Sequence, residues 1–336
     1  MREHRHPLAI GILIAIVIVG VQALLVPLFA GPAANIAPRD LPIAVAAPPP
    51  MAQQLTAKLE ADHPGAFEIK PVADAAAVDE AIKTRAVYGG ILLSPSGPAI
   101  HVASAASPTV ANLLTQAAAG LGTGQPAPVT DVVPVHSGDP RGAGFGAGFL
   151  PLAMTGLIAG VLIFLLVGSR AARLTALILY AAGAGFAGAA VLQFWLDVLP
   201  GDYLTDAGVL ALFALAVAAT ITGLGALLGR AGLALGVVLV FLVGNALSAV
   251  GSAPELLPQP WGAYGQWLPI GSGGTMLRSV AYFDGNGSRT AATVLTAYAV
   301  IGLLLALAGR SGLTRRTPHD APDIDSKSAR QHALTA

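Results

Sequence analysis

The side chains that could perform chemistry are few and widely spaced in this chain. Cysteine is absent from all 336 residues, which excludes disulfides, thiolate nucleophiles and cysteine-ligated zinc. His63, His101 and His136 lie between residues 31 and 141, and none stands at a spacing typical of a metal site or of a Ser/His/Asp arrangement. The acidic residues of the same stretch are scattered over faces that we expect to be solvated. We therefore predict no catalytic constellation and no enzyme.

The glycine-rich run from Gly271 to Gly274 does not match a phosphate-binding loop. No Lys-Ser/Thr pair follows it, and the G-x-x-x-x-G-K-[ST] pattern is absent from the sequence. We therefore expect no ATP site of this type, and no cofactor or metal. The formal net charge is +0, which removes the electrostatic attraction on which nucleic-acid binding depends. No nucleic-acid partner is predicted.

The composition is that of an integral membrane protein. Hydrophobic residues make up 54% of the chain, charged residues 11%, and the mean hydropathy is +0.70. Soluble proteins carry about 25% charged residues, so this chain has too little charge to coat a water-facing surface. Six apolar segments approach the roughly 20 residues that a spanning helix needs, and they cover approximately residues 8–30, 149–167, 174–196, 207–228, 232–250 and 291–308.

The first apolar segment has two interpretations, a retained membrane anchor and a cleaved signal peptide. Arg2 and Arg5 supply a basic start, and Phe29-Ala30-Gly31 is small enough to be cleaved. The apolar run has about 23 residues, whereas the core of a signal peptide has roughly 7–15. We therefore predict a retained anchor.

Arginine placement predicts the orientation in the membrane, because short cytoplasmic loops are enriched in basic residues. With the N terminus inside, eight arginines share the cytoplasmic side, namely Arg2, Arg5, Arg170, Arg173, Arg230, Arg310, Arg315 and Arg316. The loop with Asp197, Asp202 and Asp206 then lies outside, and only Arg278 and Arg289 fall in the last outer loop. We expect a multi-pass protein of the cell membrane, in contact with the lipid bilayer and with both termini in the cytoplasm.

Residues 31–141 mix charged residues with short apolar runs, in which strand and helix patterns alternate. Strands are predicted at about 41–46, 67–72, 87–93, 99–103 and 129–135, and helices at about 51–61, 74–86 and 108–121. The fold class is thus a polytopic α-helical membrane protein with about six transmembrane helices and an extracytoplasmic α/β domain between the first two. Its parts are the N terminus with the first helix (1–30), the α/β domain (31–141), a five-helix membrane domain (142–309) and a disordered cytoplasmic tail (310–336).

The predicted spans carry no Asp, Glu, Lys or His at mid-span, which weighs against an ion-driven transporter. Their polar residues could line a path or form interhelical hydrogen bonds, and they are Thr155, Gln193, Thr220, Thr222, Asn245 and Ser248. Glycines recur at a four-residue spacing, as at Gly156/Gly160 and Gly232/Gly236. We expect these glycines to support close helix packing within the chain rather than a dimer face.

The stretch 252–289 is too apolar for a free loop, yet its prolines forbid one continuous helix. Short broken helices that dip into the outer leaflet fit this pattern. Four residues in or near the stretch are predicted to shape an outer gate or substrate path, and they are Asn245, Trp261, Trp267 and Arg278. Interfacial anchoring is the alternative role for the two tryptophans.

The order of these parts resembles a known transporter family. Residues 41–46 look like the family's opening strand after the first span, and Pro254-Glu255-Leu256-Leu257-Pro258 with Trp261, Trp267 and Arg278 looks like its re-entrant region between the fifth and sixth helices. The chain resembles ABC-2 type transporter permeases, especially the YhgE/Pip and DUF3533-like membrane proteins of actinobacteria.

This resemblance implies the permease subunit of an exporter that moves a hydrophobic or amphipathic substrate out of the cell. Such a subunit works as a homo- or heterodimer and is powered by a separate cytosolic ABC ATPase, for which Arg170 and Arg173 are the candidate coupling contacts. The alternative is a non-transporting envelope scaffold or receptor, whose outer domain binds a cell-wall component, a partner protein or a phage.

Overall fold

The computed structural model describes residues 5–94, 97–121 and 126–309. In this part of the chain, six helices are long and apolar enough to cross a membrane, and they are Pro7–Ala34, Ala143–Leu166, Arg170–Trp195, Tyr203–Leu228, Arg230–Leu247 and Arg289–Ala308. Each overlaps one predicted span, so the prediction of a helical chain with six potential membrane helices is confirmed. The predicted tail, residues 310–336, lies outside the described residues, as does Arg2.

The helices are numbered in chain order, and their bounds are α1 Arg5–Ala34, α2 Pro49–Asp62, α3 Ala75–Lys83, α4 Pro108–Leu121, α5 Ala143–Leu166, α6 Arg170–Ala190, α7 Tyr203–Leu228, α8 Arg230–Gly236, α9 Gly244–Leu247, α10 Trp261–Gly265, α11 Pro269–Tyr282 and α12 Arg289–Ala308. Single stretches of π-helix, Val191–Trp195 and Val237–Val243, extend α6 and join α8 to α9. A short 3-10 turn, Pro254–Leu256, precedes α10.

Helix α7 is the centre of the membrane bundle. It begins where the Asp202 carboxylate accepts a hydrogen bond from the Thr205 backbone N–H at 2.9 Å, and it ends before Gly229, whose φ is +64°. Most of its residues are buried, and it contacts α5, α6, α8, α11 and α12. By contrast, the span in α1 has no buried residue, and this helix contacts mainly α9. Helix α7 is therefore the core helix of the bundle, whereas α1 lies at its periphery.

Small residues let the helices approach α7 closely. A Cβ at Gly156 would lie 2.9 Å from Val217 Cγ1, and one at Gly160 would lie 2.8 Å from the Ala218 carbonyl oxygen. Both glycines of this predicted spacing therefore face α7 of the same chain. The α7–α12 contact is equally tight, since a Cβ at Gly302 would lie 2.5 Å from the Ala219 carbonyl carbon.

The α/β domain has a five-stranded mixed sheet in the order β2-β1-β3-β4-β5. Its strands are β1 Leu41–Ala46, β2 Phe67–Val72, β3 Gly89–Ser94, β4 Gly97–Val102 and β5 Val129–Asp131. β1 is parallel to β2 and β3, β4 is antiparallel to β3, and β5 is parallel to β4. The last strand is shorter than predicted, and the residues after it, Val132, Val133 and Val135, pack against the apolar cluster that contains Val78 and Ile82.

Both apolar layers of this domain are completed by residues from the broken stretch 252–289. Ala253 and Leu256 are fully buried in the cluster around Leu41, Ile43 and Ile100. Phe283 is buried in the cluster on the other face of the sheet. Because both cores cross the boundary between the α/β domain and the stretch 252–289, the two parts pack as one body.

Candidate functional site

A cavity of about 280 Å³ lies between the α/β domain and the membrane bundle. Its walls come from the chain between α3 and β3, from the stretch after α9, and from α11 and the start of α12. We call it the interdomain chamber, and its polar wall residues include Arg85, Tyr88, Glu255, Gln266, Thr275 and Arg278.

Arg85 enters the chamber from a strained backbone position. Helix α3 ends at Lys83, earlier than the predicted residue 86, because Arg85 takes a left-handed conformation with φ +58°. Glycine is the usual residue at such a helix end, since other L-residues pay roughly 1–2 kcal/mol there. The Arg85 guanidinium donates hydrogen bonds to the Thr275 carbonyl oxygen (3.2 Å) and to Ser279 Oγ. A strained residue held by long-range contacts is typical of functional sites.

Arg278 is a buried cation on α11, only 7% exposed. Its Nη2 donates one hydrogen bond to the Val250 carbonyl oxygen at 2.7 Å, and its guanidinium carbon lies 4.5 Å from the ring centroid of Phe145. Among the described residues, no carboxylate lies within ion-pairing distance of it. Arg278 therefore brings an uncompensated positive charge to the chamber wall.

Glu255 supplies the negative charge of the chamber wall. Its Oε2 accepts a hydrogen bond from the Tyr88 hydroxyl at 2.8 Å, and its backbone carbonyl accepts one from the Arg39 N–H at 3.0 Å. Burial and the neighbouring Glu255 raise the pKa of the Tyr88 phenol above its ordinary value, which keeps it protonated as a donor. Burial lowers the pKa of Arg85, and the negative charge of Glu255 opposes that shift.

Gln266 joins α10 to α11 beside the chamber. Its amide nitrogen donates to the Ser248 carbonyl oxygen at 3.0 Å, and its amide oxygen accepts from Thr275 Oγ1 at 2.7 Å. Ser272 Oγ donates to the Gln266 carbonyl oxygen at 2.6 Å. These bonds fix this part of the wall, whereas the two arginines keep donor groups unused within the described structure.

The four predicted gate residues do not converge. Arg278 lines the chamber, but Trp261 and Trp267 are 51% and 62% exposed. Trp261 lies beside α1 in a cavity with Leu24 and Pro32, Trp267 lies in a groove along α12, and Asn245 is half-buried on α9. Sequence reasoning missed Arg85, because nothing local marks its side chain as facing α11. One signal in the sequence could have indicated the chamber wall: Glu255 is a charged residue within a proline-rich apolar run.

The two predicted coupling arginines lie at the opposite end of the bundle and differ in exposure. Arg173 is fully buried and donates to the carbonyl oxygens of Ala306 (3.3 Å) and Val167 (3.2 Å), so it joins α6 to the last turn of α12. Arg170 is exposed, with one bond of 3.4 Å to the Gly309 carbonyl oxygen. Only Arg170 is therefore available to a partner in this conformation.

Asp206 differs from its predicted place in an exposed loop. Helix α7 begins at Tyr203, so Asp206 lies in its first turn with no exposed surface. Within the described residues neither of its carboxylate oxygens has a hydrogen-bond donor, and the same holds for Oε1 of Gln193. The Gln193 amide nitrogen bonds the Gly201 carbonyl, and a Cβ at Gly201 would lie 2.8 Å from Asp206 Oδ2. The carboxylate is buried because the fold packs the chain around Gly201 against it, and no local sequence pattern indicates this burial.

Two histidines outside the chamber lie in isolated pairs. On β4, His101 Nδ1 contacts the carboxylate of Asp79 on α3, and His136 Nδ1 lies 3.0 Å from the Asp197 carbonyl oxygen. In the ranges 5–94, 97–121 and 126–309, no three His, Asp or Glu side chains meet as potential metal ligands. The interdomain chamber is therefore the strongest candidate site in the described structure.

No family model, curated protein or solved structure shows detectable similarity to this chain.

Proposed function

We propose that this protein is the membrane subunit of an ABC-2-like exporter, which moves a hydrophobic or amphipathic substrate out of the cell and is powered by a separate ATPase. One observation carries the proposal: the α/β domain closes a polar chamber over the membrane bundle and shares both of its apolar cores with the broken stretch of that bundle. In this proposal the α/β domain is extracytoplasmic, and the chamber is the outer end of the substrate path.

Helix α11 is the natural mechanical link in such a path. It contacts α7 and α12 of the bundle, and it accepts the Arg85 hydrogen bonds from the α/β domain. A shift of α11 would therefore change the packing of the bundle and the size of the chamber together. At the other end of the bundle, the exposed Arg170 is the proposed contact for the ATPase.

Copurification tests the exporter proposal. Gentle solubilisation of the full chain is expected to retain an ATPase subunit, and Arg170→Ala is expected to reduce the amount retained. Arg141→Ala is the matched control, since Arg141 is also exposed but lies before α5, at the end of the bundle next to the α/β domain. Recovery of no ATPase from either the parent chain or the control would contradict the proposal.

A second candidate, the envelope scaffold or receptor, is favoured by the small available coupling surface. Arg173 is buried in the bundle, where it bonds carbonyl oxygens of the same chain, so one of the two coupling candidates is not accessible to an ATPase. The α/β domain also has an apolar groove between α2 and the edge strand β2, lined by Val45, Gln53 and Ile69. Under this alternative, cells that lack every candidate ATPase would keep the full function of the chain.

A further inference from the structure

We propose that the interdomain chamber binds the singly charged anionic head of an amphipathic molecule, while its hydrocarbon chain lies in an adjoining apolar groove along α12. This inference rests on the proposed function, because it names the substrate class of the same site. It is carried by the charges of the chamber, by the unused donors of its arginines and by the position of the groove.

The charge of the chamber favours an anion. Two arginines, Arg85 and Arg278, line the chamber together with one acidic residue, Glu255. In the described structure Glu255 forms no ion pair within 4.0 Å and is held instead by Tyr88. The wall thus carries one net positive charge, which one negative charge neutralises. A second negative charge would be repelled by Glu255, since a partly buried site screens charges weakly.

The arginines also have hydrogen-bonding capacity left for a ligand. A guanidinium has five N–H donors, whereas Arg278 uses one of them, on the Val250 carbonyl, within the described residues. Arg85 uses only Nη1 there, on Thr275 and Ser279. Hydrogen bonds to a charged acceptor are stronger than those to a neutral one, and the planar fork of an arginine matches the oxygens of phosphate and carboxylate groups. The head group is therefore an oxyanion.

The backbone of the chamber wall is strained at two residues. Arg85 and Ala249 both line the chamber and both have positive φ values, +58° and +52°. Neither residue type favours this region, so each costs free energy that the surrounding contacts must offset. Two such residues therefore lie at one cavity, each just after the end of a helix.

The groove proposed to receive the hydrocarbon chain is lined by residues that follow chamber residues closely along the chain. Gln266 lines the chamber, and the next residue, Trp267, lines the groove. On α12 the same succession holds, since Ala291 lines the chamber and Val294, one turn later, lines the groove. The groove has a volume of about 450 Å³ and continues past the exposed Ile301. It is open on the surface of the bundle, where an acyl chain reaches it from the bilayer.

A fluorescence titration of the purified full chain in neutral detergent tests this inference. Phosphatidylglycerol with brominated chains is the probe, because it carries one negative charge and its bromines quench nearby tryptophans. In the background Trp195→Phe with Trp261→Phe, the remaining Trp267 reports occupancy of the groove. We expect saturable quenching, and we expect much weaker binding of brominated phosphatidylcholine, which has no net charge, and of brominated phosphatidic acid at alkaline pH.

Substitutions at the charged wall residues test whether the charge of the chamber determines lipid binding. Arg278→Gln is expected to weaken phosphatidylglycerol binding about tenfold or more, since a hydrogen bond to a charged group is lost. Arg289→Gln is the matched control, because Arg289 is exposed at the start of α12, outside the chamber. Glu255→Gln is expected to tighten binding and to admit phosphatidic acid. A gain in affinity cannot result from misfolding, so this variant keeps the test decisive even if Arg278→Gln fails to fold.

Three results would overturn the inference. One is equal quenching by phosphatidylglycerol and phosphatidylcholine, and another is unchanged affinity in both the Arg278 and Glu255 variants. The third is full competition by millimolar inorganic phosphate, which would identify a site for free anions. None of these measurements requires an ATPase. Failure of copurification therefore contradicts the exporter alone, whereas failure of the titration contradicts the head-group assignment alone.

Discussion

At the scale of single residues, the backbone at Arg85 decides where a functional charge lies. The left-handed φ ends α3 and turns the side chain toward α11, where Thr275 and Ser279 accept its hydrogen bonds. Asp206 is a second case in which a residue conflicts with its surroundings, because its carboxylate is buried without a donor among the described residues. Each conflict yields a measurable stability effect.

The strain at Arg85 can be isolated by two truncations. Arg85→Gly and Arg85→Ala remove the same contacts, but only glycine adopts φ +58° without cost. The glycine variant should therefore be the more stable of the two by about 1 kcal/mol, measured by thermal unfolding in detergent. At Lys83, the last residue of α3, the order should be reversed, since alanine favours a helix. Equal stability of the two Arg85 variants would show that the position carries no strain.

Asp206→Asn should raise the free energy of unfolding of the protein by about 1–3 kcal/mol above neutral pH. The amide keeps the shape of the side chain and removes a buried charge that lacks a donor. Asp202→Asn is the control, since Asn and Asp cap a helix equally well and Asp202 is exposed. A loss of stability in Asp206→Asn beside a neutral control would reveal a bound partner of the carboxylate.

At the scale of secondary-structure elements, α7 organises the bundle through close approaches rather than through polar contacts. Thr222 Oγ1 donates to the Gly160 carbonyl at 3.0 Å, and Thr220 Oγ1 lies 3.4 Å from the Tyr298 carbonyl. Bonds of this kind contribute only about 0.6–2 kcal/mol each in membranes. The backbone contact between α7 and α12 at Gly302 is therefore the more sensitive feature.

Gly302→Ala should destabilise the bundle by about 1–3 kcal/mol. The added methyl group would meet the backbone of Ala219 and Thr220 at 2.5–2.6 Å, and a backbone cannot rotate away as a side chain can. Gly208→Ala is the control, because Gly208 also lies within a helix of the bundle, α7, but nothing lies within 4 Å of a Cβ there. Thermal unfolding in detergent measures both, and a neutral Gly302→Ala would mean that α12 is free to move away from α7.

At the scale of the whole molecule, the α/β domain and the stretch 252–289 cannot be treated as separate parts. Ala253 and Leu256 complete one apolar layer of the domain and Phe283 the other. A hydrogen bond also joins the two parts, since Asn286 Nδ2 donates to the Lys83 carbonyl oxygen at 3.3 Å. A movement of the domain relative to the membrane would therefore be transmitted to α11.

Topology is tested in intact cells, because the chain lacks native cysteine and single labels are unambiguous. Lys58→Cys, on the exposed face of α2, should react with an impermeant maleimide in intact cells. Asp320→Cys, in the predicted tail, should react only after permeabilisation. Arginine placement is the reason for this expectation. Labelling of the tail but not of Lys58→Cys in intact cells would reverse the orientation and contradict the exporter proposal.

Local pattern was sufficient for much of the fold. The strands Leu41–Ala46 and Phe67–Val72 and the helix Pro108–Leu121 have the predicted bounds, because alternation and helical periodicity are properties of neighbouring residues. The ends of α3 and β5 were wrong, because contacts distant in sequence set them. Of the predicted gate residues, only Arg278 lines the chamber. The orientation, the ATPase contact and the family resemblance stay predictions.

The sequence by itself determined that this is a helical chain with six potential membrane spans and a small α/β domain, since hydropathy and periodicity act over one element at a time. Only the tertiary structure decided which span is central and which polar residues meet. Arg85 and Arg278 are far apart in the chain, and no local pattern relates them. They share a cavity because the apolar layers of the sheet are completed by residues after α9, and this long-range burial places α11 beside the end of α3.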